Sequence, residues 1–459
     1  MMFSSRVKNL LTNTGMLFIG NLGVKLISIF MVPMYTYVLS KGEYGSVDII
    51  TTTVTMLTPV VTLSVFDAVF RFAMNGDSNE EGYFTNGSFI TLIGCLLTIG
   101  SSLLLSIILH NWLLLFVGVM VSLNATVSFL LNFSKGVGYL NIFTVSSIVF
   151  AILNALLNVW FLIFIKLSVL GYAYANIISS LITVVLIFMM GRYYRYTSVD
   201  KLSLNTIKEM LRYSIPLIPN SFAWWFTTDA SRFFILMYLG TEQNGLYAVA
   251  TKIPAMFTLF FGIFIQSWQI SAIEEKNSKD RDSYYSSMYN LLISFSFVLT
   301  TIISVISPLI MRFFVNETYY QAWKLVPLLL LSATFSNISG LLGSTYIVFK
   351  RTREIFVTTI LGMILNALFC LVLIPIIGLN GAGLASSIGF LLVMVFRIRN
   401  LQNLVNIRFN YLMLLNNVFS FILFCISLIM FSYDIKTIML FGYIIICNVV
   451  FGIKYRNPI

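Results

Sequence analysis

Three charged side chains stand in apolar sequence near the middle of the chain. Between Tyr213 and Lys252 two apolar segments meet at a short turn, Gly240–Gly245. The first segment carries Asp229 and Arg232, and the second carries Lys252. That segment is long enough to cross a bilayer, which takes about 20 residues. A charge at bilayer depth costs roughly 2.5–3.5 kcal/mol and normally faces a partner or a water-filled cavity. The stretch is therefore predicted to line a cavity.

The composition is that of a membrane protein. The chain has 459 residues, of which 58% are hydrophobic and 10% charged, and its mean hydropathy is +0.92. Soluble domains carry about 25% charged residues. A histidine-based metal site is excluded, because His110 is the only histidine. The cysteines all lie in apolar runs without metal or redox spacing, at Cys95, Cys370, Cys425 and Cys447.

Apolar segments fill most of the sequence and predict an all-α polytopic membrane protein with about 14 transmembrane helices. The first segment is too long for a cleaved signal peptide and lacks a small-residue cleavage site. The fourteen segments are 10–39, 48–70, 89–109, 112–133, 142–165, 170–190, 215–239, 246–270, 291–314, 325–349, 356–377, 379–396, 411–431 and 438–451.

Lysine and arginine predict the orientation, because they concentrate in cytoplasmic loops. With the N-terminus in the cytoplasm, twenty of the 28 fall on the cytoplasmic side and five outside. The other three lie within the membrane, at Lys25, Arg232 and Lys252. Both termini are predicted to be cytoplasmic. The net charge of +11 thus indicates topology, and nucleic acid is not an expected partner.

The two halves of the sequence resemble each other. Each half has six predicted helices, so both halves start in the cytoplasm and run in the same direction, which is a parallel repeat. Asn154 and Asn366 recur in the fifth helix of each half and are predicted to hydrogen-bond between helices. Three pairs of segments match: Tyr37–Gly45 with Met237–Gly245, Ile152–Leu156 with Ile364–Leu368, and Gly171–Ala175 with Gly381–Ala385.

This repeat predicts three parts of the chain. Residues 1–200 form an N-terminal six-helix lobe, residues 201–400 form a C-terminal six-helix lobe, and residues 401–459 hold helices 13 and 14. The second lobe opens with an amphipathic cytoplasmic linker helix that is predicted to lie at the membrane surface. A solvated linker helix is the alternative. The apolar stripe is Leu204, Ile207 and Leu211, opposite Lys201, Lys208 and Arg212.

Polar faces recur in the first two helices of each half. Lys25 shares a helix face with Thr14, Asn21 and Ser28, and Phe222, Trp225, Asp229 and Arg232 share another. A third polar face runs along helix two, formed by Asp48, Thr52, Thr55, Pro59 and Thr62. Lys252 marks the fourth polar face, in helix eight. Four polar faces at repeat-related positions predict one central hydrophilic cavity.

Each charge also has a structural interpretation. Asp229 and Arg232 can neutralise each other, and Lys25 or Lys252 can form a cross-helix salt bridge with Asp48 or Asp229.

The remaining candidates are open in the same way. Asp67 and Arg71, four residues apart, favour a local ion pair. The Trp225 indole can stack on a sugar ring or pack against neighbouring helices.

No pattern in the sequence indicates an enzyme. There is no P-loop, no dinucleotide fingerprint and no nucleophile–base constellation. The outer loops are too short for a catalytic domain, which disfavours a membrane glycosyltransferase. No cofactor and no metal site is predicted.

A first helix with Asn21, Lys25 and Pro33 leads into the turn Leu39–Gly45, and the second half opens with Tyr213–Pro219. With twelve repeat-related helices plus two, the whole chain resembles the polysaccharide-biosynthesis flippases of the multidrug/oligosaccharidyl-lipid/polysaccharide exporter superfamily, to which O-antigen and teichuronic-acid exporters belong.

This resemblance implies MATE-like, V-shaped six-helix lobes that work by alternating access. It implies a substrate of sugars on an undecaprenyl-pyrophosphate lipid, with cationic cavity residues holding the pyrophosphate or acidic sugars. By position Lys25, Arg232 and Lys252 match that role, and Arg71 matches it less well.

We therefore expect a flippase for lipid-linked oligosaccharide repeat units in the plasma (inner) membrane of a bacterium. Membrane lipid is an expected partner, and the polymerase and glycosyltransferases of the same pathway are candidate partners. The alternative is a cation-coupled multidrug exporter of the same superfamily, in which carboxylates should dominate the cavity. Coupling to an H+ gradient, an Na+ gradient or the membrane potential is left open.

Overall fold

The structure is a computed structural model that describes Gly20 and residues 22–74, 79–349, 351–431 and 435–454. These residues are almost entirely helical, and no β-strand occurs among them. Their α-helices are α1 Leu22–Val38, α2 Lys41–Val61, α3 Val65–Ala73, α4 Glu80–Ile108, α5 Leu113–Gly136, α6 Leu140–Val159, α7 Ser168–Met190, α8 Leu204–Ser214, α9 Leu217–Asp229, α10 Ser231–Ala250, α11 Lys252–Glu274, α12 Arg281–Phe314, α13 Val326–Val348, α14 Thr352–Ile377, α15 Leu379–Leu401, α16 Tyr411–Phe431 and α17 Ile435–Lys454. A π-helical turn, Trp160–Phe164, extends α6.

Ten helical stretches in the described residues are apolar and long enough to cross a membrane, and the bent pair α2–α3 makes eleven if it counts as one span. Two shorter apolar helices, Leu22–Val38 and Met439–Asn448, lie near the ends of the described chain. The predicted all-α polytopic fold is confirmed, and the predicted total of about fourteen spans is compatible with this number.

The second predicted span is broken between α2 and α3, which meet at 60°. Pro59 has no N–H to continue the helical hydrogen bonds, and its ring crowds the preceding turn. Beyond it Leu63 and Ser64 adopt left-handed φ angles of 49° and 52°. For residues with a side chain, that conformation costs roughly 1–2 kcal/mol each.

Regular helix is also interrupted at the predicted turn between the seventh and eighth spans and near the start of the eighth span. α10 bends at Gly240, whose φ of 81° and ψ of −179° lie in a region that is essentially restricted to glycine. α11 starts at Lys252 after Thr251, which is itself helical, with φ −70° and ψ −15°. Pro254 has no N–H for the carbonyl of Ala250, so one helical hydrogen bond is missing at the start of α11.

The chain forms two compact units, the first ending at Trp225 and the second starting at Phe226. The division falls within α9. The predicted parts 1–200, 201–400 and 401–459 stay predictions. The linker helix α8 packs against α3 and α4 of the first unit.

The apolar stripe of α8 is mostly occupied by protein. Met210 is fully buried in the core of the first unit, and Ile207 and Leu211 pack against that core. Leu204, at the start of the helix, is 83% exposed. Nearby, burial raises the pKa of Tyr193 to about 12, so its hydroxyl stays protonated. The stripe thus holds α8 to the first unit, and the predicted place of this helix at the membrane surface stays a prediction.

Two asparagines make the same set of bonds in the two units. Asn86 in α4 donates from Nδ2 to the carbonyl of Lys201 at 2.9 Å and accepts from the amide of Ser203 at 2.9 Å. It also donates to the carbonyl of Gly82, one turn back in its own helix, at 2.7 Å. Ser203 is the residue before α8, so this side chain anchors the segment that leads into that helix.

The second unit repeats this arrangement after α15. Asn290 in α12 donates to the carbonyl of Arg408 at 2.9 Å and accepts from the amide of Asn410 at 3.0 Å. Its own-helix bond runs to the carbonyl of Ser286 at 2.8 Å. Asn410 is the residue before α16. The third predicted span of each half, α4 or α12, therefore holds the segment that follows the sixth span, α7 or α15. This agreement supports the repeat.

Candidate functional site

Asp229 and Arg232 flank a break in the second unit. Asp229 ends α9 and Arg232 is the second residue of α10, with Ala230 between the helices. Nη1 of Arg232 donates to Oδ1 of Asp229, and Thr228 donates from Oγ1 to Oδ2 at 2.7 Å. The guanidinium carbon of Arg232 also lies 5.8 Å from the ring centre of Tyr247. The predicted local pair is thus formed.

The pair is only partly buried. The Arg232 side chain is 12% exposed and the Asp229 side chain is 34% exposed. The Asp229 carboxylate accepts a charge-assisted hydrogen bond from the guanidinium and holds it in one direction. The break therefore presents an oriented, partly buried arginine.

The other candidates of this region lie close in sequence. Lys252 is the first residue of α11 and is half-buried. Trp225 is half-buried, and its ring lies 5.8 Å from that of Phe222 at an interplanar angle of 35°. This contact is the packing alternative given above, and stacking of Trp225 on a sugar stays a prediction.

In the first unit the candidates have different surroundings. Lys25, in α1, is exposed, and so is Arg71, in α3. Asp48, in α2, is buried, with 8% of its surface exposed. Asn21 lies outside the described residues.

The polar stripe on α2 is satisfied within the helix. The hydroxyl of Thr52 donates to the carbonyl of Asp48 at 2.7 Å, and that of Thr55 donates to the carbonyl of Thr52 at 2.8 Å. Thr62 donates to the carbonyl of Thr58 at 2.9 Å. Threonines bonded in this way can lie in an apolar helix without water. The stripe by itself therefore does not indicate a cavity.

Asp67 interacts electrostatically with a residue that the sequence analysis assigned only to topology. Its charge interacts with that of Lys135, at the end of α5. The Lys135 ammonium also lies 5.5 Å from the ring centre of Phe70 and 5.1 Å from that of Phe143. The predicted pairing of Asp67 with Arg71, four residues away on the same helix, stays a prediction. A contact between α3 and α5 has no signal in helical spacing.

Arg397 was also counted only as a topology signal. It is 3% exposed in α15 and donates to the carbonyl of Ser339 at 2.6 Å and to the hydroxyls of Thr358 and Thr359 at 3.0 and 3.2 Å. It thus joins α13, α14 and α15. Its sequence signal is weak, since it directly follows the apolar run 379–396.

The recurring asparagines bond between helices, as predicted. Asn154 in α6 donates to the hydroxyl of Ser179 in α7 at 3.0 Å. Asn366 in α14 donates to the hydroxyl of Ser386 in α15 at 3.3 Å. Each unit therefore closes its fifth and sixth helices with the same side chain.

A family model described as polysaccharide biosynthesis protein matches residues 10–268. No curated protein sequence matches the chain significantly.

Solved structures show the same fold at low sequence identity. The lipid II flippase MurJ in an inward closed conformation is 12% identical, with a TM-score of 0.62, covering 97% of this chain and 98% of that one. An inward-facing multidrug resistance MATE family transporter of the MOP superfamily is 13% identical, with a TM-score of 0.62, covering 83% and 94%. A MOP superfamily transporter from Pyrococcus furiosus, described as having a binding pocket of reverse polarity, is 13% identical, with a TM-score of 0.57, covering 85% and 94%.

Proposed function

The chain belongs to the polysaccharide biosynthesis protein family, and we propose that it is a flippase that carries undecaprenyl-pyrophosphate-linked oligosaccharide repeat units across a bacterial plasma membrane. The observation that carries this proposal is that the matched region, residues 10–268, contains the three cations that the sequence predicts to lie within the membrane, Lys25, Arg232 and Lys252. Lysine and arginine both bind phosphate oxygens through charge-assisted hydrogen bonds. A pyrophosphate headgroup is the ligand that suits such a set.

In the proposed cycle the headgroup enters a hydrophilic cavity by alternating access, and the polyprenyl tail stays in lipid. The Asp229–Arg232 pair gives the cycle a resting state, because the carboxylate holds the guanidinium until a pyrophosphate competes for it. Lys25 and Lys252 supply the additional positive charge that makes the anion the preferred partner. The product is exported for surface polysaccharide biosynthesis.

The second candidate is a cation-coupled multidrug exporter. The fold does not separate the two functions, because the flippase and the MATE transporter named above match with the same TM-score of 0.62. The sign of the charges in the second half supports the flippase. A cavity for cationic drugs needs carboxylates in excess, whereas the first two predicted helices of the second half carry Arg232 and Lys252 against Asp229.

The proposed location is the inner membrane with both termini in the cytoplasm, which the twenty-to-five distribution of lysine and arginine supports. A cysteine at Arg195, which is exposed after α7, should resist a membrane-impermeant thiol reagent in intact cells. A cysteine at Thr241 should react. Labelling of Arg195→Cys from outside would overturn this topology.

The proposed substrate is tested in cells that lack the native copy of the gene. Lys25→Ala and Lys252→Ala should lose export and accumulate lipid-linked repeat units, while Lys→Arg at each position keeps part of the activity. Lys208→Ala is the matched control, because Lys208 is exposed on α8. The measurement is surface polysaccharide per unit of membrane-inserted protein. Full export by the double alanine variant would reject the proposal. A gain in resistance to cationic dyes in cells that express the unmutated protein would favour the multidrug exporter.

A further inference from the structure

The break between α9 and α10 has no local cause in its sequence. Sharp helix breaks almost always occur at proline, at glycine or serine pairs, at π-bulges, or where a side chain inserts into the backbone ladder. Residues 220–239 contain neither proline nor glycine. Ala230 itself has helical dihedral angles, φ −62° and ψ −25°. The chain changes its pattern there, with the amide of Phe233 donating to the carbonyl of Ala230 three residues back at 2.9 Å.

A side chain of another helix reaches the backbone at this break. Asn366 in α14 is fully buried, and its Nδ2 donates to the carbonyl of Thr227 in the last turn of α9 at 3.4 Å. The same Nδ2 donates to Ser386 Oγ of α15 at 3.3 Å, and Oδ1 accepts from Cys370 Sγ at 3.2 Å. One amide thus joins α9, α14 and α15.

The start of α10 is held by the same group. Ser231 is buried, and its Oγ lies 3.4 Å from Ser386 Oγ and 3.7 Å from Cys370 Sγ. Both ends of the break are therefore bonded to one polar network on their buried side. Asp229 lies between the anchored residues Thr227 and Ser231, and Arg232 directly follows Ser231. The side chains of Asp229 and Arg232 are both partly exposed.

The first unit offers a comparison for this arrangement. Asn154 occupies the same place in the repeat, yet the bonds recorded for it run to Ser179 of α7 and to Asn158 of its own helix. Both asparagines close the fifth and sixth helices of their unit. Among the residues that the structure describes, Asn366 has an additional bond to α9, the helix that ends at Asp229, and Asn154 has no such bond to α1.

We propose that Asn366 is a positioning residue that sets the α9–α10 break and thereby aims Arg232 at the anionic headgroup of the substrate. This inference rests on the proposed function, because it assumes that Arg232 contacts the pyrophosphate. Ser386 and Ser231 complete the network that passes this constraint to α10.

A double-mutant cycle separates positioning from general stability. Such a cycle isolates the coupling between two side chains. The protein is reconstituted in nanodiscs and titrated with undecaprenyl pyrophosphate, which carries the headgroup without sugars. Asn366→Leu keeps the side-chain volume and removes the hydrogen bonds, and it should weaken binding about tenfold, the size of one lost hydrogen bond. In an Arg232→Gln background Asn366→Leu should weaken binding no further.

Asn154→Leu is the matched control, and it should leave binding unchanged even if it lowers the unfolding temperature. Ser386→Ala is a milder variant in case Asn366→Leu does not fold, and it should show the same dependence on Arg232. An equal loss of binding for Asn366→Leu in both backgrounds would overturn the positioning role. Weak binding by Arg232→Gln with normal binding by Asn366→Leu would overturn it too, and would leave the proposed function standing. Normal binding by Arg232→Gln would count against both.

Discussion

The two units share their uncharged polar contacts and differ in their charged ones. Asn86 in the first unit and Asn290 in the second each bond a carbonyl, the amide two residues further on, and a carbonyl of their own helix. The helices that begin after these contacts differ, since the first contact leads into α8, which packs on its own unit, and the second leads into the apolar helix α16.

The charged residues show no such agreement. The first unit has an exposed Lys25 and an electrostatic interaction between Asp67 and Lys135 of different helices. The second has Asp229 and Arg232 paired across one turn of chain. Contacts that recur hold the helices of each unit together, because the great majority of buried polar groups are hydrogen-bonded. We therefore expect the substrate to depend on the charges that differ between the units.

The largest effect is expected from reversing the lysines. Lys25→Glu and Lys252→Glu should each reduce export by about 100-fold or more, because a charged hydrogen bond contributes about 1.5–3 kcal/mol and the new carboxylate also repels the headgroup. The measurement is surface polysaccharide per unit of inserted protein. Lys208→Glu on α8 serves as the control. If only one of the two lysines proves sensitive, the substrate depends on one unit and the comparison becomes sharper.

A smaller effect is expected from the two anchoring asparagines. Asn86→Leu and Asn290→Leu should each destabilise the protein by about 2–3 kcal/mol, since each leaves buried backbone groups without their side-chain partner. Thermal unfolding in detergent should show similar losses for both. Asn132→Leu is the control, because its recorded bond is to the carbonyl of Ser128 in its own helix. A large loss for one variant and none for the other would break the equivalence of the two units.

These contacts mark how far the sequence could predict the structure. Apolar runs, the positions of lysine and arginine, and the repeated Ile-Leu-Asn-Ala-Leu segments predicted the spans, the repeat and the bonds of Asn154 and Asn366. Those features are periodic or local, so they can be recognised in a single sequence.

Features that depend on contacts between helices could not be predicted in this way. The interaction of Asp67 with Lys135 and the burial of Arg397 join residues far apart in sequence. The break at Ala230 was missed because it has neither proline nor glycine, and its anchor, Asn366, lies more than a hundred residues away. The threonine stripe of α2 does not by itself decide whether a cavity is present, because its hydroxyls bond to their own helix.

A smaller effect on stability is expected from mutations in the turn before α2 and in the turn at Gly240, and its size should differ between the two units. Ser40 caps α2 in a capping box with Glu43, and Glu43 also accepts from the hydroxyl of Ser168. Gly240, 200 residues later, has a backbone conformation that side chains avoid. Ser40→Ala should cost about 1 kcal/mol, and Gly240→Ala about 1–3 kcal/mol. Thermal unfolding measures both, and an equal cost at the two positions would show that the turns are held in the same way.

The smallest expected effect concerns the two helix breaks. In the first unit Ser64 has a left-handed φ of 52°, is fully buried, and has no recorded partner for its Oγ. In the second unit Thr251, between α10 and α11, has helical dihedral angles. Ser64→Gly should therefore stabilise the protein by about 1 kcal/mol, because it removes the steric cost of the left-handed conformation and an unsatisfied buried hydroxyl, less the entropy of the more flexible unfolded glycine.

Two further variants at these breaks separate the causes. Ser64→Ala removes the hydroxyl and keeps the strained φ, so it should stabilise the protein less than Ser64→Gly does. Thr251→Gly should destabilise it by roughly 0.5–1 kcal/mol, since a helical residue gains nothing from glycine. The unfolding temperature in detergent orders the three variants. A loss of stability in Ser64→Gly equal to that in Thr251→Gly would mean that the 60° bend between α2 and α3 stores no backbone strain, and that the two units break their helices by the same means.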